Sequence, residues 1–249
     1  MKKILFLVLI ILFVSIECFA GNNGRRSVIA GKNAAAGGAD YTENYTDTFS
    51  DSAGPPTGWT EATSRWTDNG STLQRDAWNN NEYILYSTQL SSVDHYVCIK
   101  IADFKSTSDN PGVVMRLSDL TPAAGEYYYI IRDSGDTNTL DFRICQNYAA
   151  SCTTFHSEAF ADLTDGQTMC AAVEGTGAST IFYMWEDPAT VPPTKASATY
   201  TINSGNWDSA PNTVGDSVWS DTGQYVGIAD MVGSSSANST FDDFSAGVD

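Results

Sequence analysis

Phe241-Asp242-Asp243-Phe244-Ser245-Ala246-Gly247, close to the C-terminal end, reads as a closing strand. It answers an opening stretch, Asp47-Thr48-Phe49, with Gly58-Trp59 just behind it. Apolar rings interleaved with carboxylates suit a half-buried strand, whose side chains point to opposite faces. A first and a last strand that pair across everything between them describe a β-sandwich.

The residues in between agree. Helix signals are almost absent, and short apolar runs are separated by Gly, Asn, Asp, Ser and Pro clusters. Strands are expected at Tyr83–Tyr86, Tyr96–Phe104, Gly112–Leu117, Tyr127–Arg132, Leu140–Cys145, Thr168–Glu174, Ile181–Trp185, Tyr225–Ala229 and Thr240–Ala246. Leu140-Asp-Phe142-Arg-Ile144 alternates cleanly, with a turn signal, Asp133-Ser-Gly-Asp136, ahead of it. Ser204 to Asp221, rich in Gly, Asn and Ser, suits a long loop. The fold class is all-β, a two-sheet antiparallel sandwich.

Residues 1–20 form a secretory signal: Lys2-Lys3, an apolar run Ile4–Ile16, and Cys18-Phe19-Ala20 before Gly21. A run of about 13 residues is short of the roughly 20 needed to span a bilayer. A secreted chain, extracellular or periplasmic and without membrane insertion, is the expectation. Residues 21–44 read as a Gly-, Asn- and Ala-rich leader that cannot bury enough apolar surface to fold alone. Residues 45–249 then form one domain.

Export gives the cysteines meaning. Cys18 leaves with the signal, and four remain, with three possible connectivities. Cys145 and Cys152 flank a polar turn and suit a hairpin clip, which leaves Cys98 with Cys170. Net charge is −17, and removal of Lys2, Lys3 and Glu17 leaves 11 basic against 29 acidic residues, or −18. Such a surface repels phosphate backbones, so nucleic acid is excluded as a partner.

The order of these pieces resembles the concanavalin A-like lectin/glucanase superfamily, in particular its laminin-G-like secreted jelly rolls. Matching residues are Asp47-x-Phe49, Gly58-Trp59, Trp66, Gly112-Val-Val-Met-Arg116, Tyr127-Tyr-Tyr-Ile-Ile-Arg132, Leu140-Asp-Phe142, Glu174-Gly-Thr-Gly-Ala-Ser-Thr-Ile181, Ser220-Asp-Thr-Gly223-Gln-Tyr-Val-Gly227-Ile228 and Phe241-Asp-Asp-Phe244. They span almost the whole domain in order. The resemblance implies a concave sheet that holds glycan, and a structural calcium where the terminal strands meet.

Three site readings follow. Glucanases of the superfamily carry a Glu-x-Asp-x-x-Glu strand, which sets an acid and a nucleophile on one face; no such run occurs, and neither His95 nor His156 lies in a nucleophile motif. Arg116, Arg132 and Arg143 would form a polar groove on the concave sheet with Tyr128 and Trp185, because guanidinium forks and flat rings suit sugar hydroxyls and faces. Core packing is the competing account of the rings. Asp47 with Asp242 or Asp243 would offer hard oxygens to calcium; solvated acids on an edge strand are the alternative. The leading function is a non-catalytic, lectin-like domain for a surface or matrix polysaccharide. Its rivals are a glycoside hydrolase or polysaccharide lyase with a nonstandard acid pair, and a structural or adhesive subunit that self-associates.

Overall fold

The computed structural model describes residues 40–51, 54–61, 66–75, 82–104, 110–121, 127–134, 137–146, 151–203, 205–208, 221–230 and 239–249. The signal, residues 21–39 of the leader and most of the 204–221 loop lie outside the described residues.

Two antiparallel sheets face each other. Sheet A holds β1 (Thr42–Asp47), β3 (Trp66–Asp68), β4 (Leu73–Arg75), β6 (His95–Asp103), β11 (Thr168–Glu174), β12 (Ile181–Glu186), β13 (Tyr200–Ile202) and β15 (Thr240–Val248). Their spatial order is β13-β12-β11-β6-β15-β4-β3, with β1 also alongside β15. Sheet B holds β2 (Trp59–Glu61), β5 (Glu82–Tyr86), β7 (Pro111–Leu117), β8 (Tyr127–Ser134), β9 (Thr139–Gln146), β10 (Ser151–Ala159) and β14 (Tyr225–Asp230). They run β10-β9-β8-β7-β14-β5-β2. Among the described residues the only helical pieces are single 3₁₀ turns, Gly177–Ser179 and Lys195–Ser197. No helix there is long and apolar enough to cross a membrane.

The opening and closing strands do pair, from Thr42↔Val248 to Asp47↔Phe244. Their rings meet in the core: Trp59 lies 4.7 Å from Phe244 and 5.6 Å from Phe49, centroid to centroid. Asp47 ties this corner, accepting from the Trp59 indole N–H at 2.7 Å and the Phe49 amide at 2.9 Å. The strand begins earlier than the leader boundary at 44 allowed. Thr42 to Asn44 look unpromising as core, but an edge strand needs only backbone partners, and β15 supplies them.

Phe241 and Phe244 are both buried, although three residues apart on a strand they would face opposite ways. The β15–β6 register shifts between them, a bulge that returns Phe244 to the core and leaves Asp242 and Asp243 outside. Val97 and Ile99, Val113 and Met115, Tyr129 and Ile131, and Leu140, Phe142 and Ile144 fill the space between the sheets.

Both disulfides are closed. Cys98 pairs with Cys170 across β6 and β11, and Cys145 with Cys152 across β9 and β10. Each joins directly opposed residues on a face turned away from the main core. Replacing both Cys145 and Cys152 by serine should lower stability by about 2 kcal/mol, the entropy of so short a loop. Urea titration measures it; no change would mean that the hairpin holds itself.

Candidate functional site

The outer face of sheet B carries Tyr128, Ile130 and Arg132 from β8 beside Cys145, Arg143 and Asp141 from β9. The register pairs Arg132 with Asp141 and Ile130 with Arg143. Arg132 donates from Nη2 to Asp141 Oδ2 at 3.0 Å. The other Asp141 oxygen accepts from Ser157 Oγ on β10 at 2.9 Å and from Thr139 Oγ1 at 3.3 Å. Arg143 donates to the Cys152 carbonyl at 3.3 Å, and burial, followed by repulsion from Arg132, pushes its pKa down to about 10. At that value it is still cationic near neutrality. The outcome is a polar patch with fixed donors and acceptors, its Arg132 and Asp141 side chains 14% and 11% exposed. Asp141 is the one carboxylate on the outer face of β8 and β9; Asp133 turns inward, where its Oδ2 accepts from the Leu163 amide.

Two of the five expected ligand residues are elsewhere, and a third is not wet. Arg116 stands on β7, where φ is 57° and the β7–β14 register shifts. That bulge turns its guanidinium across the sandwich, away from Arg132, to the Val93 and Gly175 carbonyls and Asp94. It is fully buried. Trp185 belongs to the outer face of sheet A, also buried, its indole N–H donated to the Thr194 carbonyl at 2.8 Å. Tyr128 does share the face with Arg132 and Arg143 but is fully buried, edge-on to Tyr83 at 5.4 Å. The reason is a second apolar layer: Tyr83, Leu85, Val114, Leu117, Tyr128 and Ile130 pack together outside sheet B. Core packing, the competing account of the rings, holds for Tyr128 and Trp185.

One ring that sequence reasoning missed is Tyr183. It stacks on Trp185 at 5.9 Å with an interplanar angle of 22° and is only half-buried. The alternation Ile181, Tyr183, Trp185 against buried Phe182 and Met184 would have marked it as outward.

Of the three expected calcium ligands, Asp47 and Asp243 line one groove beside the terminal strand pair. Asp47 is committed to the Trp59 and Phe49 N–H groups. Lys100 sits on Asp242 at 2.6 Å and Asp243 at 3.4 Å. Among the described residues no three His, Cys, Asp or Glu side chains converge on a metal-sized space. Among the described residues neither histidine is bonded to a Ser, Thr or Cys side chain: buried His95 is held down to about pKa 3 by burial and by Arg116, and His156 lies between Glu158 at 2.9 Å and Asp208 at 3.3 Å.

No protein-family model matches the sequence, and no curated protein matches it. Solved structures do. One, from work on endo-acting O-glycanases by which members of the human gut microbiota initiate mucin breakdown, superposes with a TM-score of 0.50 at 12% identity, over 83% of this chain and 99% of its own. A variant of SCLam, a non-specific endo-β-1,3(4)-glucanase of family GH16, also reaches 0.50 at 12% identity, over 85% and 96%. The fold is that of the concanavalin A-like jelly rolls. The carbohydrate-binding module CBM66 from Bacillus subtilis aligns over 78% of this chain and 93% of its own at 13% identity, but its TM-score of 0.43 adds nothing to that argument. At such identities the jelly roll shares a backbone frame with these proteins, and activity has to be argued from side chains.

Proposed function

We propose that this protein is a secreted, non-catalytic glycan-binding domain that takes polysaccharide at the polar patch around Arg132, Asp141 and Arg143. One observation carries the reading: two arginines and a carboxylate, fixed by Ser157 and Thr139, present donors and acceptors together on an outer sheet face. Pre-set polar groups lose little freedom when they meet sugar hydroxyls. Support comes from the two superposed structures, whose O-glycanase and glucanase activities are both directed at glycans. Two disulfides suit an oxidising, exported setting.

The hydrolase reading needs two carboxyl groups about 5 to 10 Å apart across the scissile bond. On the β8–β9 face Asp141 has no such companion, and Arg132 pairs with it at 3.0 Å. Arg116, Tyr128 and Trp185 are outside the proposed contact set because they are buried.

A glycan array, followed by calorimetry on β-1,3-glucan and mucin O-glycans, tests the reading. Arg132→Ala and Arg143→Ala should each weaken binding by about 1 to 3 kcal/mol, the worth of a charge-assisted hydrogen bond at an interface. Tyr128→Ala should instead lower the melting temperature. Release of reducing ends, abolished by Asp141→Asn, would establish the hydrolase in its place; absence of binding across the array would end both.

A further inference from the structure

The outer face of sheet A holds a groove of about 400 Å³ between β1 and the 187–194 loop, lined by Glu43, Thr46, Lys100, Thr168, Val191 and Asp243 among others. That volume is within the range of ligand-holding clefts. Val191 stands at its rim, 40% exposed and the one exposed large apolar side chain among the described residues. Lys100 is neutralised by Asp242 and Asp243, so the charge left over, with Glu43 nearby, is negative. The groove therefore suits a cationic occupant with an apolar body.

We propose that this groove is a docking site for the chain's own segment Gly24-Arg-Arg-Ser-Val-Ile-Ala-Gly-Lys-Asn33. Charge singles that segment out. Arg25, Arg26 and Lys32 oppose only Asp40 in residues 21–40, whereas residues 41–249 hold 8 basic against 28 acidic side chains. Val28 and Ile29 supply apolar groups for the Val191 side of the groove. Position agrees too. The described chain starts on this same face, where Asp40 accepts from the Lys195 amide at 2.6 Å and Tyr41 packs on Tyr96 and Trp185. The eleven steps from Ile29 to Asp40 reach about 36 Å when extended, more than the roughly 23 Å that β1 needs to run from Asp40 to Asp47. This docking is independent of the glycan site, which lies on the other sheet.

The test uses the full exported chain. Carbodiimide treatment should join Lys32 to Glu43 or Asp243 within one molecule, as read by mass spectrometry of the monomer band. Trypsin should cut after Arg25 and Arg26 slowly, and roughly tenfold faster in Glu43→Gln/Asp243→Asn, because cleavage follows the undocked population. About 0.5 M salt should speed the wild type similarly by screening the pairing. Asp119→Asn, at an exposed acid in the loop after β7, controls for net charge and should leave the rate unchanged. Equal rates in wild type and double variant, or cross-links spread over many surface carboxylates, overturn the proposal. Cross-links only between molecules overturn it in favour of a second copy as the occupant.

Discussion

Arg116→Met should destabilise the protein by about 3 to 5 kcal/mol, the range for removing one partner of a buried charge network. Methionine keeps much of the volume, so the loss reads out charge and hydrogen bonds. The guanidinium of Arg116 joins three loops at one end of the sandwich. It donates to the Val93 carbonyl at 3.0 Å, to Asp94 at 3.0 Å and to the Gly175 carbonyl at 2.6 Å, with Asp221 at 3.7 Å. The same two carboxylates hold the turn opposite: Asp94 accepts from the Gly175 amide and Asp221 from the Gly177 amide. Without the arginine, two acids that face each other across this turn lose their shared cation. Lysine offers one point charge rather than a planar fork, so Arg116→Lys should recover less than half of the loss. Chemical denaturation of the three proteins decides it. A change below about 1 kcal/mol in Arg116→Met would show that solvent at the half-exposed acids replaces the arginine.

Arg116 also shows where sequence reasoning stops. The sandwich was legible because its terminal motifs, Asp47-x-Phe49 and Phe241-Asp-Asp-Phe244, mix rings with carboxylates, and because runs between them such as Leu140-Asp-Phe142-Arg-Ile144 alternate on a two-residue period. The pairing of cysteines was legible because hairpin spacing left one choice for the second bridge. Bulges were not. A positive φ at Arg116 and the register slip inside Phe241–Phe244 each move side chains to another face, and neither involves a glycine that would signal it. Tyr128 failed for a different reason. Alternation correctly set it on the outer face of β8, but period says which side a residue takes and not whether that side is covered. The second apolar layer is assembled from β5, β7, β8 and β14, distant in sequence, so no local window contains it.

The second large effect is a pH dependence centred on Asp133. This carboxyl is fully buried, and burial raises its pKa from 3.8 to about 7, against a smaller opposing pull from the Leu163 amide. Asp162 and Glu186 raise it further, while Arg132 on the neighbouring position lowers it. In the unfolded chain the group titrates near 3.8, so between about pH 4 and 7 the folded state binds the extra proton. Its contribution to stability therefore falls as pH rises through this window, opposite in direction to that of a salt-bridged carboxylate and to that of buried His95, whose pKa is held down to about 3. A gap of about three pKa units corresponds to about 4 kcal/mol by the close of the window. Asp133→Asn should remove the slope. The amide keeps an oxygen for the Leu163 N–H, which now meets Asp133 Oδ2 at 2.7 Å, and carries no charge at any pH. Wild type and variant should be nearly equal near pH 4, and the variant should be the more stable by several kcal/mol near pH 8. Urea midpoints across pH 4 to 8 give both curves. A difference between the two proteins that stays constant from pH 4 to 8 would assign the proton to another group. A variant less stable than wild type at pH 8 would mean that the buried charge is paired far better than its single backbone donor allows.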